Sequence, residues 1–226
     1  IECWSIPQEK SKGTVVIFHG YSGNKSSMLN ISDQFLKLGY STFLVDFMGS
    51  GGSEGNQTTI GFKEAEQVKS VVEYLESKSE TNIVLFGTSM GAVAIMKAID
   101  EYNIKPNKII LECPFGSMYQ TVCARFKTMN APTFPMAGML VFWGGVQNGF
   151  WAFGHKPTEY AKSIDCPVLL MYGEKDEKVS RKEIDEIYAN ISSAKELITF
   201  PDAAHENYLN QYSSEWIVGV TSFLNK

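Results

Sequence analysis

The sequence predicts an α/β fold: a mostly parallel central sheet flanked by helices, with one cap insertion. Three observations carry this expectation. Apolar runs without polar alternation, such as Val15-Val16-Ile17-Phe18 and Ile83-Val84-Leu85-Phe86, read as strands buried on both faces. Segments with apolar residues at helical spacing alternate with them. Loops rich in turn residues follow several strands, where ligands collect on an open parallel sheet.

Taken in order, Ile1 to Ile6 is one short strand and Thr14 to Phe18 the first long one. A helix is expected from Lys25 to Leu38, with Met28, Ile31, Phe35 and Leu38 in register and Gly39 as its stop. Ser41 to Phe47 is the next strand, followed by a glycine-rich loop, Met48 to Gln57, and a helix near Gly61 to Lys78. That helix sets Val68, Val71, Val72 and Leu75 against a charged face. Further strands are expected at Ile83 to Phe86, Lys108 to Cys113, Pro167 to Tyr172 and Glu196 to Phe200. Helices are expected after Ser89, near Arg181 to Ala189, and from Ser213 to Leu224.

Bulk properties narrow the class. A chain of 226 residues with 44% hydrophobic and 20% charged residues fits one soluble α/β domain with an adequate core. The net charge of −5, with no Lys/Arg cluster, argues against a nucleic-acid partner. Cys3, Cys113, Cys123 and Cys166 match no zinc spacing. Cys113 and Cys166 fall at opposite ends of neighbouring strands, too far apart for a disulfide, so free thiols are expected. His205-Glu206 lacks the second histidine of H-E-x-x-H, and Gly49 to Gly55 lacks G-x-G-x-x-G. No cofactor and no metal is therefore expected. Because the chain opens at Ile1, it reads as processed or trimmed, and compartment is left open.

The alternation breaks between Cys113 and Pro167. From Thr128 to Gly154 no residue is charged, yet the stretch is rich in Phe, Trp and Met. Its apolar core, Pro135 to Val146, is interrupted by glycines and falls short of the roughly 20 residues of a membrane span. The division expected is a core of residues 1–114 with 166–226, and an apolar cap, 115–165. The preferred reading of the charge-free run is a cap helix buried against the sheet. The competing reading is a surface that touches lipid.

Chemistry concentrates at Gly87-Thr88-Ser89-Met90-Gly91, a strand, a sharp turn and a helix start. Such a nucleophile elbow exposes a serine hydroxyl on a strained turn, and strand and helix then approach so closely that only glycine fits at 87 and 91. Residues just past later strand ends are the candidates for its partners. Asp176 follows the Tyr172 strand and His205 follows the Phe200 strand, giving the order Ser89, Asp176, His205 of a Ser-acid-His triad. Glu112 and Asp202 remain rival acids. Of the other histidines, His19 is expected to prop its own turn and His155 to line the cap. Oxyanion donors are expected from the backbone N–H groups of Met90 and of Tyr21, in the turn His19-Gly20-Tyr21.

These motifs resemble the α/β-hydrolases, in particular the monoglyceride-lipase and serine-aminopeptidase-like branch with its small bacterial esterases. The residues that carry the likeness are His19 to Asn24, Asp46 to Gly55, Gly87 to Ala92, Gly173 to Asp176, and His205. The family usually places two strands before the one at Thr14, so the leading edge strand is expected to be missing here. The function implied is a serine hydrolase acting through an acyl-enzyme on a small-molecule ester or thioester with an apolar acyl or aryl group. Phe115, Met118, Met139, Phe142, Trp143 and Trp151 are the expected substrate contacts. Two alternatives stay open: an aminopeptidase or amidase, in which Glu112 would hold the substrate amine, and a non-catalytic lipid-binding protein.

Overall fold

The computed structural model describes residues 1–226. Seven strands form one sheet: β1 (Cys3–Ile6), β2 (Thr14–Phe18), β3 (Ser41–Val45), β4 (Ile83–Thr88), β5 (Lys108–Glu112), β6 (Val168–Gly173) and β7 (Lys195–Phe200). Their order across the sheet is β1-β3-β2-β4-β5-β6-β7. β1 runs antiparallel to β3 at one edge, and every other pairing is parallel. One strand, β1, precedes β2 within residues 1–13.

The continuous apolar runs are explained by what covers them. One face of the sheet packs under α2 (Glu64–Ser77), α3 (Met90–Tyr102) and α7 (Arg181–Asn190), and β2, β4, β5 and β6 contribute Phe18, Leu85, Leu111 and Leu170 there. The other face packs under α1 (Leu29–Lys37) and α9 (Ser213–Leu224), with Ile17, Phe86, Ile110 and Trp216 buried between. Strands covered on both sides need apolar side chains at every position. The helix expected from Lys25 splits into a 3-10 turn, Lys25–Met28, and α1. Asn24 caps that turn by accepting from the Ser27 N–H. The glycine-rich loop after β3 folds around the buried Asp46 carboxylate, which accepts from the N–H groups of Lys25 and Gly52 and pairs with the Lys25 ammonium.

Between β5 and β6 stand α4 (Met118–Thr128), α5 (Met136–Asn148) and the short α6 (Pro157–Tyr160). α6 packs on α3 and α7, whereas α5 packs on α4 and on the turn Ala152–Gly154. This corrects the expectation that the charge-free run is buried against the sheet. α5 buries only Ala137, Val141 and Gly145, a single stripe one turn apart along the helix. Met136, Met139, Leu140, Phe142, Trp143 and Val146 face outward. The cluster beneath the insertion holds just three buried residues, Met118, Val141 and Ala152, so α5 is thinly anchored compared with the helices on the sheet. His155 fastens the insertion to the body: its Nε2 donates to the Ile60 carbonyl at 3.0 Å, and its Nδ1 accepts from the Tyr160 hydroxyl at 3.1 Å. Burial pushes the His155 pKa down to about 4, so this fully buried ring stays neutral.

Candidate active site

Parallel strands bring their carboxyl ends to one rim, and four consecutive ends there carry Ser89, Cys113, Asp176 and His205. Ser89 stands between β4 and α3 with φ 51° and ψ −109°, a conformation outside the favoured regions for an L-residue. The surrounding contacts hold it there. Its N–H donates to the Glu112 carbonyl at 2.8 Å, and its carbonyl accepts from Val93 N–H at 3.1 Å. The glycines are required as the sequence suggested. A Cβ on Gly91 would lie 2.4 Å from the Phe18 carbonyl oxygen, and one on Gly87 would lie 2.6 Å from the Ala92 nitrogen.

The late loops complete the array. His205 Nε2 lies 3.0 Å from Ser89 Oγ, and His205 Nδ1 lies 2.7 Å from Asp176 Oδ2. With Nδ1 donating to the carboxylate, Nε2 is left to accept the serine proton. The other Asp176 oxygen accepts from the N–H groups of Lys178 and Val179 at 2.7 and 3.0 Å, which fixes the carboxylate. Burial acts to lower the His205 pKa, but the Cys113 sulfur and the Asp176 carboxylate beside the ring outweigh it and raise the value above the ordinary 6.5.

The rival residues are accounted for. Glu112 points away from the rim; its carboxyl accepts from Trp216 Nε1 at 2.7 Å and from the Thr88 hydroxyl at 3.1 Å. Burial raises its pKa to about 7 against those two hydrogen bonds. Asp202 is exposed and pairs with Lys175. His19 is buried: its Nδ1 lies 2.7 Å from the Gly20 carbonyl and its Nε2 accepts from Phe47 N–H at 3.1 Å, so it fastens the turn after β2 to the one after β3. That turn rests on the serine, with a Cβ on Gly20 falling 3.7 Å from Ser89 Cβ. The Tyr21 N–H in the turn donates to no protein acceptor. Met90 N–H, at the first position of α3, has no intrahelical partner either.

Cys113, Asp176 and His205 bring sulfur, oxygen and nitrogen atoms within 4.8 Å of one another. A thiophilic cation would find three donor types there, although the His205–Asp176 hydrogen bond already occupies two of them. All four cysteines are free thiols.

An apolar cavity of about 300 Å³ opens beside Ser89, lined by Phe115 and Met118 as expected, and also by Ile60, Phe126, Leu140 and Val179. Met139, Phe142, Trp143 and Trp151 are corrections: none reaches the cavity, and all four side chains face solvent. Aromatic density in the sequence points to α5, but α4 supplies the wall. Met118, Val122 and Arg125 on one α4 face, with Met129 just past its end, lie three and four residues apart, a spacing the sequence itself contains.

With this geometry established, comparison places the chain. Residues 9–148, more than half of its length, match the family model Hydrolase_4, described as serine aminopeptidase, S33; the chain belongs to that family of α/β-hydrolases. It is 25% identical over 209 residues to the uncharacterized protein YqkD of Bacillus subtilis, a match covering 91% of this chain and 68% of the relative. It is 28% identical over 203 residues to protein bem46 of Schizosaccharomyces pombe, covering 88% and 63%. Among solved structures, the Pyrococcus furiosus esterase Pf2001 matches with a TM-score of 0.80 at 25% identity, over 99% of this chain and 86% of that one. A monoacylglycerol lipase of Paleococcus ferrophilus shares the fold, with a TM-score of 0.75 at 17% identity, over 99% of this chain and 97% of that one.

Proposed function

We propose that this hydrolase is a serine esterase that cleaves an ester or thioester with an apolar acyl group through an acyl-enzyme at Ser89. The observation that carries the reading is the continuous hydrogen-bonded line from Ser89 Oγ through His205 to Asp176. In the proposed reaction His205 Nε2 takes the Ser89 proton as the oxygen attacks the ester carbonyl. Asp176 holds the imidazole in the Nδ1–H tautomer and stabilises the imidazolium. The unpartnered N–H groups of Tyr21 and Met90 are the donors for the oxyanion, aided by the positive end of α3. The imidazolium returns its proton to the leaving alcohol. Water, deprotonated by the same nitrogen, then releases the acid and restores the serine.

Residues 115–165 serve as the cap in this reading, with α4 forming the acyl wall. Its apolar lining favours a hydrocarbon chain over a charged acyl group. Met129 and Leu140 line the cavity and are also 65% and 54% exposed, so the outward face of α5 runs into the cavity mouth. That continuity supports contact between the cap and a lipid surface, from which an ester would enter without crossing water. A helix with two-sided apolar character and one buried stripe fits such a role better than a fully solvated one.

The peptidase alternative lacks its key group. Glu112, the acid that would have held a substrate amine, is buried under Trp216. The cations Arg125 and Lys178 border both cavities at Ser89 and would repel an ammonium. The test is turnover of p-nitrophenyl butyrate and octanoate beside aminoacyl p-nitroanilides. The esters should be cleaved, Ser89→Ala should lose that activity, and the anilides should be poor substrates. Preferred cleavage of the anilides would reverse the reading.

A further inference from the structure

Two cavities meet at Ser89, and they differ in character. The apolar one described above and a second of about 250 Å³ share Tyr21, Ser89, Arg125, Lys178 and His205. The second is bordered by polar groups, among them Thr88, Glu206 and Asn207. A substrate acylating Ser89 must place its two halves on either side of the hydroxyl. The hydrocarbon half belongs in the apolar cavity, which leaves the polar one for the alcohol. On the reading that Ser89 is the acylated residue, we infer that the alcohol half of the ester carries an anionic group held by Arg125 and Lys178.

The state of the cations at this junction argues for it. The chain has two arginines. Arg181 holds Glu174 and Asp185 at 2.7 and 2.8 Å, whereas Arg125 pairs with no carboxylate. Its guanidinium instead lies 5.0 Å over the Tyr21 ring, on the same turn as the proposed oxyanion donor. Stacking of this kind orients the planar fork and leaves its N–H edge available. Lys178 likewise has no carboxylate partner, although nearby Lys175 is bound to Asp202. In a chain of net charge −5, two unpaired cations facing one reacting hydroxyl form a local field of the opposite sign. The acid of the polar cavity, Glu206, is already engaged, accepting from Ala204 N–H at 3.1 Å and from Gln211 Nε2 at 2.5 Å.

The chemical class is thus a monoacyl ester of an anionic alcohol, with the anion a phosphate or a carboxylate. Both suit a guanidinium fork.

The experiment compares three esters sharing one octanoyl chain: octanoylglycerol, octanoylglycerol phosphate and the octanoyl ester of glyceric acid. The wild-type protein should cleave at least one anionic ester with kcat/KM about tenfold or more above the neutral one, as expected for charge-assisted hydrogen bonds. That ratio should fall toward one in the Arg125→Gln, Lys178→Gln double variant and shrink with added salt, while Arg125→Lys retains part of it. A lead for octanoylglycerol phosphate identifies phosphate, and a lead for the glycerate ester identifies carboxylate. Equal or faster turnover of octanoylglycerol overturns the inference and leaves the esterase reading standing, as does a ratio unchanged in the double variant. If none of the three is cleaved and a fluorophosphonate fails to label Ser89, both readings fall together. Both side chains are exposed, so the variants should melt with the parent.

Discussion

Glu112 Oε1 accepts a hydrogen bond from Trp216 Nε1 at 2.7 Å, tying the end of β5 to α9 directly behind the Ser89 turn. The carboxyl is fully buried and its pKa is raised to about 7. A group protonated more readily in the folded than in the unfolded chain gives stability that is full below pH 4.5 and lost as pH climbs through 7. The amount is on the order of 3 kcal/mol for a shift of this size. Glu112→Gln keeps the acceptor for Trp216 and cannot ionise. Its melting temperature should therefore change less than the parent's between pH 5 and pH 8, and it should melt higher than the parent at pH 8. Parallel melting curves for the two proteins across that range would show that the carboxyl does not titrate there.

The His205 pKa, raised by its neighbours against burial, sets the acid limb of activity. The base must be neutral to accept the Ser89 proton, so kcat/KM should rise with pH with a midpoint above 6.5. Asp176→Asn removes the carboxylate, which should cut kcat by roughly 10⁴ and move the midpoint downward. A midpoint unmoved by that change would mean that Asp176 does not contact the ring in solution.

Strain at Ser89 depends on close backbone approach, and Gly91 is where it is tightest. A methyl there meets the Phe18 carbonyl oxygen at 2.4 Å, backbone against backbone, with no flexible side chain to yield. Gly91→Ala should lower stability by about 1–3 kcal/mol or more, read by urea unfolding. An alanine variant as stable as the parent would contradict the close packing of β2 on α3.

The outward face of α5 should matter for surfaces and not for folding. Trp143 is 56% exposed, and Phe142 stacks edge-on against it at 5.3 Å. Replacing both with serine should shift stability by roughly 0.5 kcal/mol or less. The same change should weaken co-sedimentation with phosphatidylcholine vesicles. A double variant that binds vesicles as the parent does would place the lipid contact elsewhere.

Most of the fold was legible because buried parallel strands leave an unmistakable pattern. Val15 to Phe18 and Ile83 to Phe86 carry apolar residues at every position, and both are covered on two faces. The geometry at Ser89, Asp176 and His205 was legible because strand ends converge on one rim, so order along the chain translates into proximity. Pairing was harder. Nothing in the sequence says that the Glu112 side chain turns to Trp216, since that depends on which way one residue at a strand end faces. The largest miss was α5. An uncharged, aromatic-rich helix has no polar side to orient it, and hydrophobicity alone could not tell a buried face from an exposed one. The cavity wall came instead from α4, whose stripe from Met118, ending at Met129 just past the helix, is diluted by Thr121 and Arg125.

The most direct measurement is intact-mass analysis after treatment with a fluorophosphonate, followed by mapping of the modified peptide. The account predicts one adduct per chain, located at Ser89, formed faster as pH rises through the His205 midpoint, and absent from Ser89→Ala. A chain that remains unmodified, or one modified at another residue and equally in Ser89→Ala, would contradict it.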